Sequence, residues 1–254
     1  MGIIDTHAHV YDVSTYSDTV GLINNLKEFD VTNVLLPGTS LDDDVHIKKL
    51  VSLDSGLFSP MIGIHPDHID HSYKSKVSEI EKYLMDYDYI GIGEIGLDYY
   101  NNHANIKEQK LFLDMILDVA ISAKLPVSIH SRNSFEDVYN TLSKKNGIRG
   151  VIHCFTGDLS EARRYIDLGF YLGIGGILTF KKSRLKDVLV KIPLSYIVLE
   201  TDSPFLSPEP VRGSINTPCN LVYIVDYLAR LYNVDREEVI NCTSENARNI
   251  FKIN

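Results

Sequence analysis

A single (β/α)8 barrel is the α/β fold this sequence predicts, and three observations predict it. Eight short apolar runs rich in β-formers recur along the 254 residues. Amphipathic stretches of helical spacing lie between them. Titratable residues gather at the C-terminal ends of the runs instead of scattering. Strand and helix in alternation make a parallel sheet with right-handed crossovers. Eight such units in about 250 residues suit a closed TIM barrel. A doubly wound open sheet is the alternative topology.

In chain order, the first run is GIIDTHAHV (2–10), and the helical DTVGLINNLKEF (18–29) follows it. VTNVLLPG (31–38) and LFSPMIGIHP (57–66) come next, then the helical VSEIEKYLMDY (77–87). YIGIGEIGLDY (89–99) leads into the longest amphipathic stretch, KEQKLFLDMILDVAISAK (107–124). LPVSIHSR (125–132) and RGVIHCFTG (149–157) are separated by SFEDVYNTLSKK (134–145). LSEARRYIDLG (159–169), the run FYLGIGGILTF (170–180) and the helical SRLKDVLVKI (183–192) lead to the eighth run, YIVLETDSPFL (196–206). A Pro-rich loop, SPFLSPEPVRGSINTP (203–218), and two helical stretches (219–232 and 236–251) end the chain. No Gly- or Ser-rich linker divides it, so one domain is expected over 1–254.

Composition narrows the function classes. Lys plus Arg is 25 and Asp plus Glu is 34, a formal charge of −9. A whole-surface affinity for nucleic acid is not expected, and an anionic substrate requires a locally positive site. Cys154, Cys219 and Cys242 form no CxxC and read as reduced thiols. With no signal-like start and no apolar run near the ~20 residues of a membrane span, a cytoplasmic protein is expected.

Active sites of such barrels sit where strands end and βα loops begin. His7 and His9 end the first run, Glu94 the fourth, His130 the fifth, His153 the sixth, and Glu200 and Asp202 the eighth. With period-2 alternation, Asp5 shares a face with His7 and His9, and Glu200 shares one with Asp202. Each histidine alone reads more readily as a hydrogen-bonded core group, and Glu94 alone reads equally well as a structural carboxylate. Together, imidazole and carboxylate without thiolate suit Mg²⁺, Mn²⁺ or Zn²⁺. Six ligands exceed the three of one catalytic zinc and suit two ions ~3.5–4 Å apart, with Glu94 as the bridge. His65 ends the third run as a substrate-contact candidate. His46 and His103 fall in helical or loop stretches and are expected to face solvent, and His68 and His71 fall in a polar loop.

The stretches DTHAH, GIHP, GEIGLDYY, PVSIHSR, HCFTG, ETDSPFL and RGSINTP resemble the TatD-type metal-dependent hydrolases of the amidohydrolase superfamily. The resemblance runs from the first strand to beyond the eighth. It implies a deoxyribonuclease or related phosphoesterase that uses two divalent metal ions to activate water. Carried over by position, His7, His9, Glu94 and Asp202 hold one metal, and Glu94, His130 and His153 the other. Asp202 and Glu94 are then catalytic. Arg132 and Arg212 are candidate phosphate clamps. Asp5 and Glu200 are expected to support the ligands. Tyr99, Phe155 and Phe205 are candidates to stack on a base.

With no broad basic surface, the expected substrate is a DNA strand end or short single strand, cut 3′ to 5′. No membrane contact and no obligate protein partner are expected. The same ligand set also suits an amidohydrolase or esterase acting on a cyclic amide, lactone or aminoacyl ester. A non-catalytic metal-binding barrel is the third alternative.

Overall fold

The computed structural model describes residues 2–12, 14–101 and 103–253. All eight runs contain a strand: β1 (Ile3–Asp5), β2 (Val31–Pro37), β3 (Phe58–Ile62), β4 (Gly91–Asp98), β5 (Val127–Arg132), β6 (Gly150–Ile152), β7 (Tyr171–Ile174) and β8 (Ile197–Leu199). They form one parallel sheet in the order β1 to β8. Crossover helices are α1 (Thr19–Glu28), α2 (Asp44–Leu53), α3 (Tyr73–Asp86), α4 (Ile106–Ala123), α5 (Phe135–Leu142), α6 (Leu159–Asp167) and α7 (Leu185–Leu189). The chain ends in α8 (Leu221–Tyr232) and α9 (Arg236–Phe251). The pattern did not single out α2, although Ile47, Leu50 and Val51 mark its buried face. No helix among the described residues is long and apolar enough to cross a membrane.

The sheet curls until its first and last strands meet, which excludes the open-sheet alternative. Thr6 N–H donates to Leu199 O (2.9 Å), Asp202 N–H to His7 O (2.9 Å) and His9 N–H to Ser203 O (2.7 Å). Ala8 and Ser203 form a parallel bridge. Asp5, fully buried, completes this seam. Its carboxylate accepts from the backbone N–H of His7 (3.1 Å) and Thr201 (3.0 Å) and from the Thr201 hydroxyl (2.6 Å). Buried carboxylates are tolerated where several donors satisfy them.

One end of the barrel is plugged. Ile4, Leu35, Met61, Val151 and Val198 cluster with Ala247, Ile250 and Phe251 of α9. Asn246 Nδ2 donates to Ile197 O (2.7 Å), and Ser244 Oγ to Gly2 O (2.9 Å). These contacts fall where strands begin, so the end where strands finish is left open for chemistry.

The strands are shorter than the runs. β1, β6 and β8 span three residues each, so His7, His9, His153, Glu200 and Asp202 lie just past their ladders. Strand alternation therefore does not set their directions. Cys154 (φ 47°) and Asp202 (φ 56°) are left-handed, which breaks any period of two there. One glycine makes room for the polar layer. A Cβ at Gly173 would stand 2.1 Å from Glu200 Oε2 and 3.2 Å from the His153 Cα. Gly173→Ala is expected to cost roughly 1–3 kcal/mol by overpacking. Thermal denaturation should show a midpoint lowered by several degrees, about 2–4 °C per kcal/mol in a chain of this size.

Candidate metal centre

At the open end, five imidazoles surround one buried carboxylate. Glu94 ends up 3 % exposed inside the long strand β4. Its Oε1 lies 2.7 Å from His130 Nδ1, 2.9 Å from His153 Nε2 and 3.6 Å from His65 Nε2. Its Oε2 lies 3.3 Å from His7 Nε2 and 3.6 Å from His9 Nε2. Asp202 Oδ1 closes the second side, 3.5 Å from His9 Nε2 and 3.9 Å from His7 Nε2.

Two donor groups result, joined through Glu94. In one, His7 Nε2 and His9 Nε2 are 3.2 Å apart. In the other, His130 Nδ1 and His153 Nε2 are 3.3 Å apart. Zinc with ligands at 2.0–2.1 Å in a tetrahedron sets its donor atoms about 3.3 Å apart. The donor spacing therefore fits divalent cations, and so does the borderline N/O chemistry. Among the described residues, His7–His9–Glu94 and Glu94–His130–His153 each converge closely enough to hold an ion.

The outward nitrogens of His7, His9 and His130 are hydrogen-bonded as well, whereas that of His153 has a carboxylate near it but no hydrogen-bond partner. His7 Nδ1 meets Ser128 Oγ (3.0 Å), and His9 Nδ1 meets the Tyr11 hydroxyl (2.9 Å) and Pro37 O (3.2 Å). His130 Nε2 meets Asp98 Oδ2 (3.3 Å). Glu200 Oε1 accepts from Cys154 N–H (2.5 Å) and lies 3.6 Å from His153 Nδ1. Such partners fix the ring orientation and tautomer of a ligating histidine. Gln109 of α4 pins the end of β4 in turn, accepting from Asp98 N–H (3.0 Å) and donating to Asp98 O (3.3 Å).

Electrostatics sorts these groups. Burial, then the neighbouring His153 charge, depresses His7 to about 3, so it stays neutral and ready to ligate. For His9, His130 and His153, burial pulls downward but facing carboxylates win and raise all three, His153 well above the ordinary value. Burial alone would raise Glu94, yet the imidazole charges around it hold it well below the carboxylate range. Glu200 is raised, chiefly by burial. Asp202 is lowered, because its hydrogen bond to His9 and the imidazole charges outweigh burial.

The centre floors a cavity of about 740 Å³. His65 reaches it with Nε2, because its Nδ1 accepts from Asp67 N–H (3.1 Å), which leaves Nε2 as a donor. Arg132 lines it with its guanidinium 4.0 Å above the Tyr100 ring. Arg212 is elsewhere, stacked 3.8 Å over Phe180 and outside this lining. Of the three aromatic candidates only Phe205, 60 % exposed, faces the cavity. Phe155 is buried, and the Tyr99 hydroxyl is committed to Asp137 (2.7 Å). His46 and His68 line the mouth and are exposed, as expected of His46. Asp5 supports the His7 backbone and touches no imidazole through the contacts above.

Sequence reasoning passed over Asp98, Ser128 and Tyr11 as partners of the ligand candidates. Tyr11 lies two residues from His9, and Asp98 four from Glu94, so the spacing that singled out the ligands also pointed to these two.

A (β/α)8 barrel with imidazoles and carboxylates converging at its open end defines the metal-dependent hydrolase class. The chain matches the family model described as TatD related DNase over residues 4–252 and belongs to that family. It is 37 % identical to the uncharacterized metal-dependent hydrolase BU355 of Buchnera aphidicola, with both chains fully covered. It is 32 % identical to the uncharacterized metal-dependent hydrolase YabD of Bacillus subtilis, over 99 % of this chain and 100 % of that one. Among solved structures, YjjV, a TatD homolog from Escherichia coli, superposes with a TM-score of 0.89 at 26 % identity, covering 99 % and 98 % of the two chains. The organophosphorus hydrolase of Deinococcus radiodurans, at 14 % identity and a TM-score of 0.68 over 98 % and 93 %, shares the fold.

Two measurements test the centre. Histidines raised above the unfolded value of 6.5 stabilise the metal-free fold fully below pH 6.5, and this is lost as pH rises through their folded values. A cation must displace those same protons. The rise in melting temperature on adding Zn²⁺ or Mn²⁺ should therefore grow from pH 6.5 to 8.5; a constant rise would contradict the assignment. Asp5→Asn, which weakens the anchor of the His7 backbone, should lower metal content after dialysis roughly 10-fold or more in affinity. Metal analysis of the dialysed protein reads this directly.

Proposed function

We propose that this protein is a deoxyribonuclease that removes nucleotides in the 3′ to 5′ direction from single-stranded DNA or strand ends. The observation that carries this reading is the pairing of two donor groups sharing Glu94 with Arg132 on the wall of the same cavity. Two divalent ions are the cofactors this reading assigns, held by His7, His9, Glu94 and Asp202 and by Glu94, His130 and His153. When bound, such cations lower the pKa of a water and neutralise charge on a phosphoryl group.

The chain's own groups do the rest. Glu94 Oε1 and Oε2 each face one donor group, so this carboxylate fixes their separation. Asp202, held ionised and hydrogen-bonded near His9, is placed to orient the attacking water and take its proton. His65 offers its Nε2–H, and Arg132 its guanidinium fork, to phosphate oxygens. Phe205 offers a ring to the base of the bound nucleotide.

A second reading has one observation in its favour. Asp12, Asp43 and Asp67 also line the cavity, and carboxylates suit an ammonium-bearing substrate such as an aminoacyl ester better than a polyanion. Turnover of 3′-labelled single strands, aminoacyl esters, lactones and cyclic amides, each with Mg²⁺, Mn²⁺ or Zn²⁺, separates the two. The expected result is stepwise shortening of DNA, abolished by chelation and restored by metal. Asp202→Asn should lower kcat roughly 10²–10⁴-fold. Turnover of esters alone would replace the nuclease reading.

A further inference from the structure

A local reversal of charge lies beside the cavity. Residues 180–191 hold Lys181, Lys182, Arg184, Lys186 and Lys191 against Asp187 alone, a net of 5 − 1 = +4 in a chain of −9. All five are exposed, as is Arg212. Lys27, Lys48, Lys110, Lys145 and Arg164 are each ion-paired. None of the six forms such a pair among the described residues, so their charge is free for a partner.

Their position ties them to the cavity. The stretch follows β7, at the end of the barrel where the centre lies. Gly176 abuts the loop after β8, where a Cβ would stand 2.0 Å from Leu206 O. The Thr179 hydroxyl accepts from Glu209 N–H (2.9 Å), and Arg212 stacks on Phe180 (3.8 Å). Pro204, Phe205 and Leu206 of that loop line the cavity. One loop thus has the site on one side and the cationic segment packed against the other. Ser183, Arg184 and Lys191 continue into a cleft of about 530 Å³ against the β6–α6 loop, with Asp158 and Asp187 as its carboxylates.

We infer that Lys181, Lys182, Arg184, Lys186 and Arg212 form a track for the phosphate backbone of a single strand whose end occupies the cavity. The inference rests on the nuclease reading and extends it, because the strand is held beyond the phosphate being cut. A phosphodiester chain fits a run of unpaired cations that continues from the wall of a hydrolytic cavity. An acidic peptide shares the charge but gives no reason for that continuity.

The test is fluorescence anisotropy of a labelled phosphorothioate strand of about twelve thymidines, with metal-loaded full-length protein. Single-strand binding falls with a log–log salt slope of about −0.7 per phosphate contact. Lys181→Ala/Lys182→Ala/Arg184→Ala should therefore flatten the slope by roughly 2. Between 50 and 200 mM salt, wild-type binding should weaken roughly twentyfold more than variant binding. A control triple of exposed lysines on α2, on α3 and just past α5, Lys49→Ala/Lys82→Ala/Lys144→Ala, removes the same charge and should leave the slope at the wild-type value. Equal losses in both triples would overturn the track, as would equally tight, patch-dependent binding of a labelled oligoglutamate. Strand binding through the patch without hydrolysis of any DNA would sink the nuclease reading and leave the track standing. Hydrolysis of a dinucleotide with no patch-dependent binding would do the reverse.

Discussion

The open end of this barrel is organised around a single buried anion. Glu94 has five imidazole nitrogens within 3.6 Å of its two oxygens and almost no contact with water. A carboxylate so placed is unfavourable unless cationic or hydrogen-bonding groups compensate it. Here the compensating groups come from β5 and from the loops after β1, β3 and β6. Those histidines in turn crowd nitrogen against nitrogen, an arrangement that a shared carboxylate and bound cations make favourable.

That mutual dependence explains why so many uncharged groups stand behind the ligand candidates. Ser128, Tyr11 and Pro37 O hold the rings of His7 and His9, while carboxylates back His130 and His153. The difference is electrostatic as well as geometric. His130 and His153 are pulled toward the protonated form by the carboxylates they face, as His9 is by Asp202 and Glu94, whereas burial holds His7 neutral. The ligand candidates therefore differ in how readily they give up a proton, with His7 lowered and His153 raised well above the ordinary value.

Much of this was legible in the sequence. Eight strands and most helices followed from apolar periodicity, because β2 to β5 and the long helices are regular enough for a period of 2 or 3.6 to persist. The ligand candidates were legible because barrel chemistry gathers at strand ends, and Glu94 and His130 do lie inside strands. His7, His9, His153 and Asp202 were found for a partly mistaken reason. They occupy loops just past three-residue strands, and their convergence comes from the seam between β1 and β8 and from left-handed turns at Cys154 and Asp202. Periodicity does not encode such turns. It also could not separate Arg132, on the cavity wall, from Arg212, which a loop carries to the outer side. Nor could a whole-chain charge reveal the cationic stretch after β7, since averaging over 254 residues erases it.

The seam has a consequence for how the protein is made. His7 and His9 leave the ribosome first, but their backbone is pinned by groups near Thr201 and Ser203, almost two hundred residues later. Until that distant segment is synthesised, the nascent chain carries half a chelating site with nothing to hold its shape. Glu94, His130 and His153 come from the middle of the chain, with Glu200 of the eighth run behind His153. The ring of strands closes only when its last member is in place, and the His7–His9 half of the centre depends on that closure.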